Sequence, residues 1–193
     1  MSRPPDHDDA LEALTGEVAS WLALASPAAA PSEALTARIE RSVATTHRFE
    51  DLEGRVAELL DVTPRDAAAM LLSIDDPSRW VPAFGAPTSA PVELLHASGG
   101  PAVAGAVTGF VRMAPGTAFP EHEHVGEETV LLLSGSCEDA SGEVFHRGDV
   151  ARMRPGTRHH LRAIGTVRLV FLAVIEGGLV VDGVTLGPGD PRA

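Results

Sequence analysis

From Val92 onward a turn signal interrupts the chain about every ten residues, the spacing of an all-β sandwich or barrel. The signals are Gly99-Gly100-Pro101, Pro115-Gly116, Ser134-Gly135, Ser141-Gly142, Gly148, Pro155-Gly156, Gly165 and Gly177-Gly178. Between them lie alternating or β-rich stretches, of which Val107–Met113, Glu128–Leu133 and Val167–Ile175 read as strands. The chain from Val92 onward is therefore expected to form a β domain. No repeat of fixed period runs through them.

The first half has a different period. Leu11, Leu14, Val18, Trp21 and Leu22 recur at spacings of three and four, the stripe of an amphipathic helix. Ser26–Pro31 breaks the pattern, and Ser32 can cap a second helix carrying Leu35, Ile39 and Val43. Phe49, Leu52, Val56, Leu59 and Leu60 predict a third. Thr63-Pro64-Arg65-Asp66 opens a fourth, with a Thr cap, Pro at the first helical position and an acid three residues after the cap. Met70, Leu71 and Ile74 form its apolar face. The expected organisation is an acidic helical segment over 1–76, an irregular connection over 77–91, the β domain over 92–187 and a short tail over 188–193.

Composition excludes several classes. The 193 residues are 44% hydrophobic and 22% charged, ordinary for a globular chain. Lys+Arg number 15 against 27 Asp+Glu, a net charge of −12, which disfavours nucleic acid and anionic membrane surfaces. The helices Phe49–Asp61 and Thr63–Asp75 have helix-turn-helix spacing, but the second offers Arg65 against Asp66 and Asp75, and the first carries Glu50, Asp51, Glu53 and Glu58. A hairpin for packing or partner docking fits this charge better than a DNA reader. One cysteine, Cys137, rules out an internal disulfide framework and a Cys-rich zinc site. Met1 to Glu12 has no apolar core of a secretory signal, and the longest apolar run, Leu169–Ile175, is too short to span a bilayer. A soluble cytoplasmic protein is the expectation.

The segment with the most chemistry runs from Gly116 to Gly135. Residues two apart on a strand share a face, so His122 and His124 can offer two imidazoles to one ion. Glu128 has the same parity, but on a continuous strand it would lie about 13 Å from His124. Metal bonds are about 2 Å long, so the chain must fold back, and Val125-Gly126 supplies a turn. Pro155-Gly156 would turn the chain again, with His159 beginning the next strand as a fourth ligand.

These residues resemble the two motifs of the cupin superfamily. Gly116, His122, His124, Glu128 and Gly135 match the first at every position. Gly148, Gly156 and His159 match the second, with Arg154 where its first Pro is expected, Pro155 one place later, and Ala163 replacing a terminal Asn that is not a ligand. The resemblance covers roughly residues 92–187. It implies an all-β cupin, a double-stranded β-helix or jelly-roll barrel, following an α-helical N-terminal segment.

Within cupins, the wording from Phe119 to Ser136 and then Pro155-Gly-Thr-Arg-His159 looks like the ChrR-type group of anti-sigma factors. That resemblance assigns metal ligation to His122, His124, Glu128 and His159. It further implies transcription regulation, with a helical domain holding a sigma factor and a cupin needed for release under oxidative stress. The group's N-terminal zinc site uses His-x3-Cys-x2-Cys, and no Cys stands in the first half of this chain, so that site is absent. Pro31–Phe49 looks like the stretch that often follows an anti-sigma domain.

Other polar residues read more plainly. His160 should face away from His159, His146 is read as structural or solvent-facing, and His7, His47 and His96 carry no ligand spacing. Cys137 is a small buried hydrophobe or, in the sharper reading, an oxidation-sensitive thiol. Glu121, Glu123 and Glu127 are the solvated opposite face or partners that orient imidazoles. Arg112, Arg152 and Arg158 are surface charges or an anion-binding lining.

Two functions follow as expectations. The favoured one is a ChrR-like, metal-binding regulator that senses an oxidant or small ligand in the barrel and docks a sigma factor or other basic protein through residues 1–76. The other is a metal-dependent cupin enzyme such as a dioxygenase acting on a small molecule, although no separate general base or substrate clamp is recognisable. Three imidazoles and a carboxylate suit one divalent ion, Zn first, with Fe, Mn, Ni or Cu also matching. By resemblance, a homodimer is expected.

Overall fold

The computed structural model describes residues 32–37, 48–85 and 91–192. The chain divides into two units, residues 1–46 and 47–193. In the first, Ser32 caps the helical turn over 33–37, its Oγ accepting the Leu35 N–H at 3.2 Å. The helix expected from Leu11 to Leu22, and the positions Ile39 and Val43, lie outside the described residues.

The second unit opens on helices. A 3-10 turn, Glu50–Leu52, runs into helix α1, Glu53–Leu60. Asp61 ends α1 in the left-handed conformation, and α2, Pro64–Ser73, follows. Thr63 caps α2 as its sequence predicts: Thr63 Oγ1 accepts the Asp66 N–H at 3.2 Å, and Pro64, which has no N–H to satisfy, takes the first helical position. Residues 77–85 are locally ordered, with a 3-10 turn at Pro77–Arg79 and a two-residue strand β1, Val81–Pro82.

Eleven further strands make, with β1, two six-stranded sheets. They are β2 Val92–His96, β3 Ala106–Met113, β4 Ala118–His124, β5 Glu128–Ser134, β6 Ser136–Asp139, β7 Val144–His146, β8 Val150–Met153, β9 Arg158–Ile164, β10 Leu169–Glu176, β11 Leu179–Val181 and β12 Val184–Leu186. One sheet has the order β1-β2-β3-β10-β5-β8 and the other β12-β11-β4-β9-β6-β7. All pairings are antiparallel. This is the jelly-roll barrel that the cupin resemblance implies, with the turns where the sequence spacing puts them. β10 begins two residues later than the strand expected over Val167–Ile175, because Val167 lies exposed in the preceding turn.

β10 is buried along Leu169–Ile175 because the first sheet is covered on both faces. Leu169, Phe171, Ala173 and Ile175 point into the barrel core with Val111, Leu132 and Leu161. Val170, Leu172 and Val174 point the other way, into a second core made with Val56, Leu60, Ala67 and Leu71 of α1 and α2. A strand buried on both faces reads as continuous hydrophobic sequence rather than as alternation. The helix stripe and the outer face of the sheet thus satisfy each other, at roughly 1.5–3 kcal/mol per large side chain buried.

Polar contacts fix the orientation of the helices. The Arg147 guanidinium bonds both carboxylate oxygens of Asp51, at 2.8 and 2.6 Å, and the Arg48 carbonyl at 3.3 Å. Arg55 donates to the Gly148 carbonyl. Trp80 Nε1–H donates to the Ile74 carbonyl at 3.0 Å beneath the Arg112 guanidinium, 4.4 Å from the ring centre.

Candidate metal centre

The second sheet delivers three imidazoles and the first sheet one carboxylate. His122 and His124 come from β4, His159 from β9, and Glu128 from the first position of β5. Their ligand atoms lie within 4.8 Å of one another. His122, His124 and Glu128 are buried and His159 is half-buried.

Local backbone chemistry explains the convergence. β4 and β9 are antiparallel neighbours with His122 directly opposite His159. Between Phe119 and His122 the register slips by one residue, so β4 holds a bulge at Pro120-Glu121. Phe119 and His122 consequently both face inward although they are three apart, which strict alternation does not anticipate. Pro120 sits where a missing N–H costs the ladder nothing, and its carbonyl lies 2.9 Å from His122 Nδ1.

The turn expected at Val125-Gly126 carries the chain from one sheet to the other. A Cβ on Gly126 would stand 2.5 Å from the Glu176 carbonyl oxygen, so only glycine lets the turn pass that close. Gly156, with φ of +73°, reverses the chain before His159, and its N–H donates to the His124 carbonyl at 2.8 Å.

The donor set suits a cation and little else. A carbonyl only accepts, so Pro120 requires the His122 proton on Nδ1 and leaves Nε2 as a bare lone pair facing the cluster. His124 Nε2 and Glu128 Oε2 are 2.8 Å apart, yet neither has a hydrogen-bond partner among the described residues. His159 Nε2 lies 3.1 Å from His122 Nε2 and 3.6 Å from Glu128 Oε2. Burial alone would push the Glu128 carboxyl up. The three imidazoles facing it outweigh that and hold it well below the ordinary carboxylate range. Imidazoles can favour the carboxylate only as donors or cations; where their nitrogens face it bare, a bound cation has to take that part. One ion with bonds of about 2.0–2.2 Å has ligands about 3–4 Å apart; here His124, His159 and His122 nitrogens lie 2.8, 3.6 and 4.0 Å from Glu128 Oε2.

A cavity of about 40 Å³ adjoins the cluster, lined by Phe84, Phe119, Leu161 and Phe171 beside His122 and Glu128. It holds a few waters at most, since a cavity that takes benzene measures about 150 Å³. Phe84 and Phe119 pack edge to face at 5.4 Å, and Phe119 meets the His122 ring at 5.0 Å.

The remaining polar residues lie elsewhere. His160 and His146 are exposed, the latter with Nδ1 2.9 Å from Ser136 Oγ; His96 is exposed at the end of β2; His7 and His47 lie outside the described residues. Glu121 and Glu127 are exposed, and Glu123 pairs with Arg158 at 2.7 Å on the outer face. Arg152 is exposed, and Arg112 pairs with Glu93 at 2.6 Å, so no arginine of the three faces the cluster. Sequence reasoning passed over Pro120 and Thr157. Thr157 Oγ1 lies 3.0 Å from His124 Nδ1, and its only sequence signal is its place in Pro-Gly-Thr-Arg-His.

Cys137 is buried in the barrel core, as its plainer reading has it. Burial, helped by the charge of Asp139, pushes its thiol up to about 11. The folded state therefore keeps the proton where the unfolded chain, near 9.0, releases it. This contribution to stability is full below pH 9 and is lost as pH rises towards 11. Native protein at pH 8 should resist iodoacetamide, and denatured protein should be alkylated promptly, as mass spectrometry would record. Rapid native labelling would restore the sensor reading of this thiol.

Compared with known families, residues 75–177 match one described as the ChrR Cupin-like domain, more than half of the chain. Among solved structures, Rhodobacter sphaeroides SigE in complex with the anti-sigma ChrR is 22% identical, covering 87% of this chain and 77% of that one, with a TM-score of 0.48. An acetylacetone dioxygenase from Acinetobacter johnsonii is 16% identical, covering 61% and 85%, with a TM-score of 0.49. A predicted oxalate decarboxylase from Thermotoga maritima is 30% identical, covering 44% and 79%, with a TM-score of 0.40. No curated protein matches the chain. No helix among the described residues is long and apolar enough to cross a membrane.

Proposed function

The chain belongs to the ChrR cupin-like domain family, and from that premise we propose that it is a metal-binding regulator whose barrel senses an oxidant or small ligand and whose helical segment docks a protein partner. The observation that carries the metal reading is the buried set of His122, His124, Glu128 and His159 with two orphaned polar atoms at its centre. Those four residues hold one divalent ion. Zn²⁺ accepts this nitrogen and oxygen set, and Fe, Mn, Ni and Cu accept it too. When bound, the ion supplies positive charge among the three ring nitrogens and the Glu128 carboxylate.

A sigma factor, or another protein with a basic face, is the proposed partner. Family membership and the net charge of −12 support it. The apolar faces of α1 and α2 are occupied by the first sheet, which leaves the partner their polar side, where Glu50, Glu58, Asp66 and Asp75 are exposed.

A metal-dependent oxygenase is the second reading, supported by the small cavity reaching His122 and Glu128. Elemental analysis of protein purified without added metal separates the two. One tightly held Zn²⁺ per chain, lost in His124→Ala, together with co-purification of a basic partner through residues 1–76, is the expected result. Redox-active Fe or Mn that takes up an exogenous ligand would favour the oxygenase. A chain that retains no ion after reconstitution would remove the basis of both.

A further inference from the structure

We propose that Thr157 is the positioning residue of the centre: its hydroxyl keeps the His124 proton on Nδ1, so that Nε2 reaches the ion bare. The second half of this statement rests on the metal reading above; the first does not. Thr157 Oγ1 lies 2.6 Å from the Arg154 carbonyl oxygen and 3.0 Å from His124 Nδ1. A hydroxyl has one hydrogen to give. Two oxygens 2.6 Å apart repel unless they share a proton, and the carbonyl cannot supply it, so the Thr157 hydrogen goes to Arg154. Oγ1 then faces His124 with lone pairs only, and the ring nitrogen must be the donor.

The backbone holds this geometry in place. His124 N–H donates to the Thr157 carbonyl at 3.1 Å, and Gly156 N–H donates to the His124 carbonyl at 2.8 Å. The turn that presents the hydroxyl is thus tied to the residue it orients. Without the hydroxyl, nothing selects the tautomer of His124. A ring with its proton on Nε2 would place that proton inside the cluster, whose Glu128 Oε2 is 2.8 Å from the nitrogen, where the ion belongs. His122 is held separately by the Pro120 carbonyl, and it serves as an internal control.

The test compares the full chain with Thr157→Val, Thr157→Ala and Thr157→Ser. Long-range proton–nitrogen correlation spectra of the metal-free proteins report the tautomer of each ring, and competition against a chelator reports Zn²⁺ affinity. Wild type and Thr157→Ser should show His124 protonated on Nδ1. The Val and Ala variants should show mixed tautomers at His124, an unchanged His122, and a 10–100-fold loss of Zn²⁺ affinity. A His124 that stays on Nδ1 in both hydroxyl-free variants would overturn the assignment, as would failure of the Ser variant to restore it. If wild type holds no divalent ion, the metal reading fails, and the tautomer comparison still decides the role of Thr157.

Discussion

Stripping the ion with a chelator should lower the midpoint of thermal unfolding by about 8–16 °C. The ion would be gripped by three imidazoles from one sheet and a carboxylate from the other, so it closes the barrel across its two layers. A ligand held at a thousand times its dissociation constant contributes about 4 kcal/mol, and 1 kcal/mol shifts the midpoint by about 2–4 °C in a chain of this size. The loss has a second source. Metal-free protein must bury His124 Nε2 and Glu128 Oε2 without hydrogen-bond partners among the described residues. Calorimetry with and without chelator measures the shift. His124→Leu should abolish the response, since it removes a ligand and one of the two orphaned atoms. An unshifted midpoint in wild type would mean the cluster grips nothing.

Leu172→Ala should cost about 2–5 kcal/mol, a large part of a typical stability of 5–15 kcal/mol. Leu172 is fully buried on the face of β10 that meets α1 and α2. Its removal leaves a hole between sheet and helices, and neighbours on a central strand have little freedom to fill it. The effect should appear in urea unfolding with the metal content unchanged, because Leu172 points away from the cluster. A variant that lost its ion instead would indicate that the two faces of the sheet are coupled more tightly than the packing suggests.

The parts of this molecule that sequence reveals are those governed by local spacing. Alternation put His122 and His124 on one face, and turn chemistry placed the reversals at Val125-Gly126 and Pro155-Gly156. The cap at Thr63 was readable because its partners lie within one helical turn. What escaped depends on contacts between distant segments. Periodicity identified Val56 and Leu60 as an apolar stripe but not the outer face of β10 as its cover. The apolar run Leu169–Ile175 disclosed burial without saying that two different cores share it. The bulge in β4 left no mark beyond a proline, since a one-residue slip shows only against the partner strand.

That slip separates two tasks assigned to one strand. Removing Glu121 would return β4 to simple alternation with Phe119 and both histidines still inward, so the extra residue is not what turns them toward the ion. Its contribution is local: at the bulge the Pro120 carbonyl lies against the His122 ring, 2.9 Å from Nδ1, while Phe119 packs on that ring at 5.0 Å. A shortened strand would keep its donors and lose their aim.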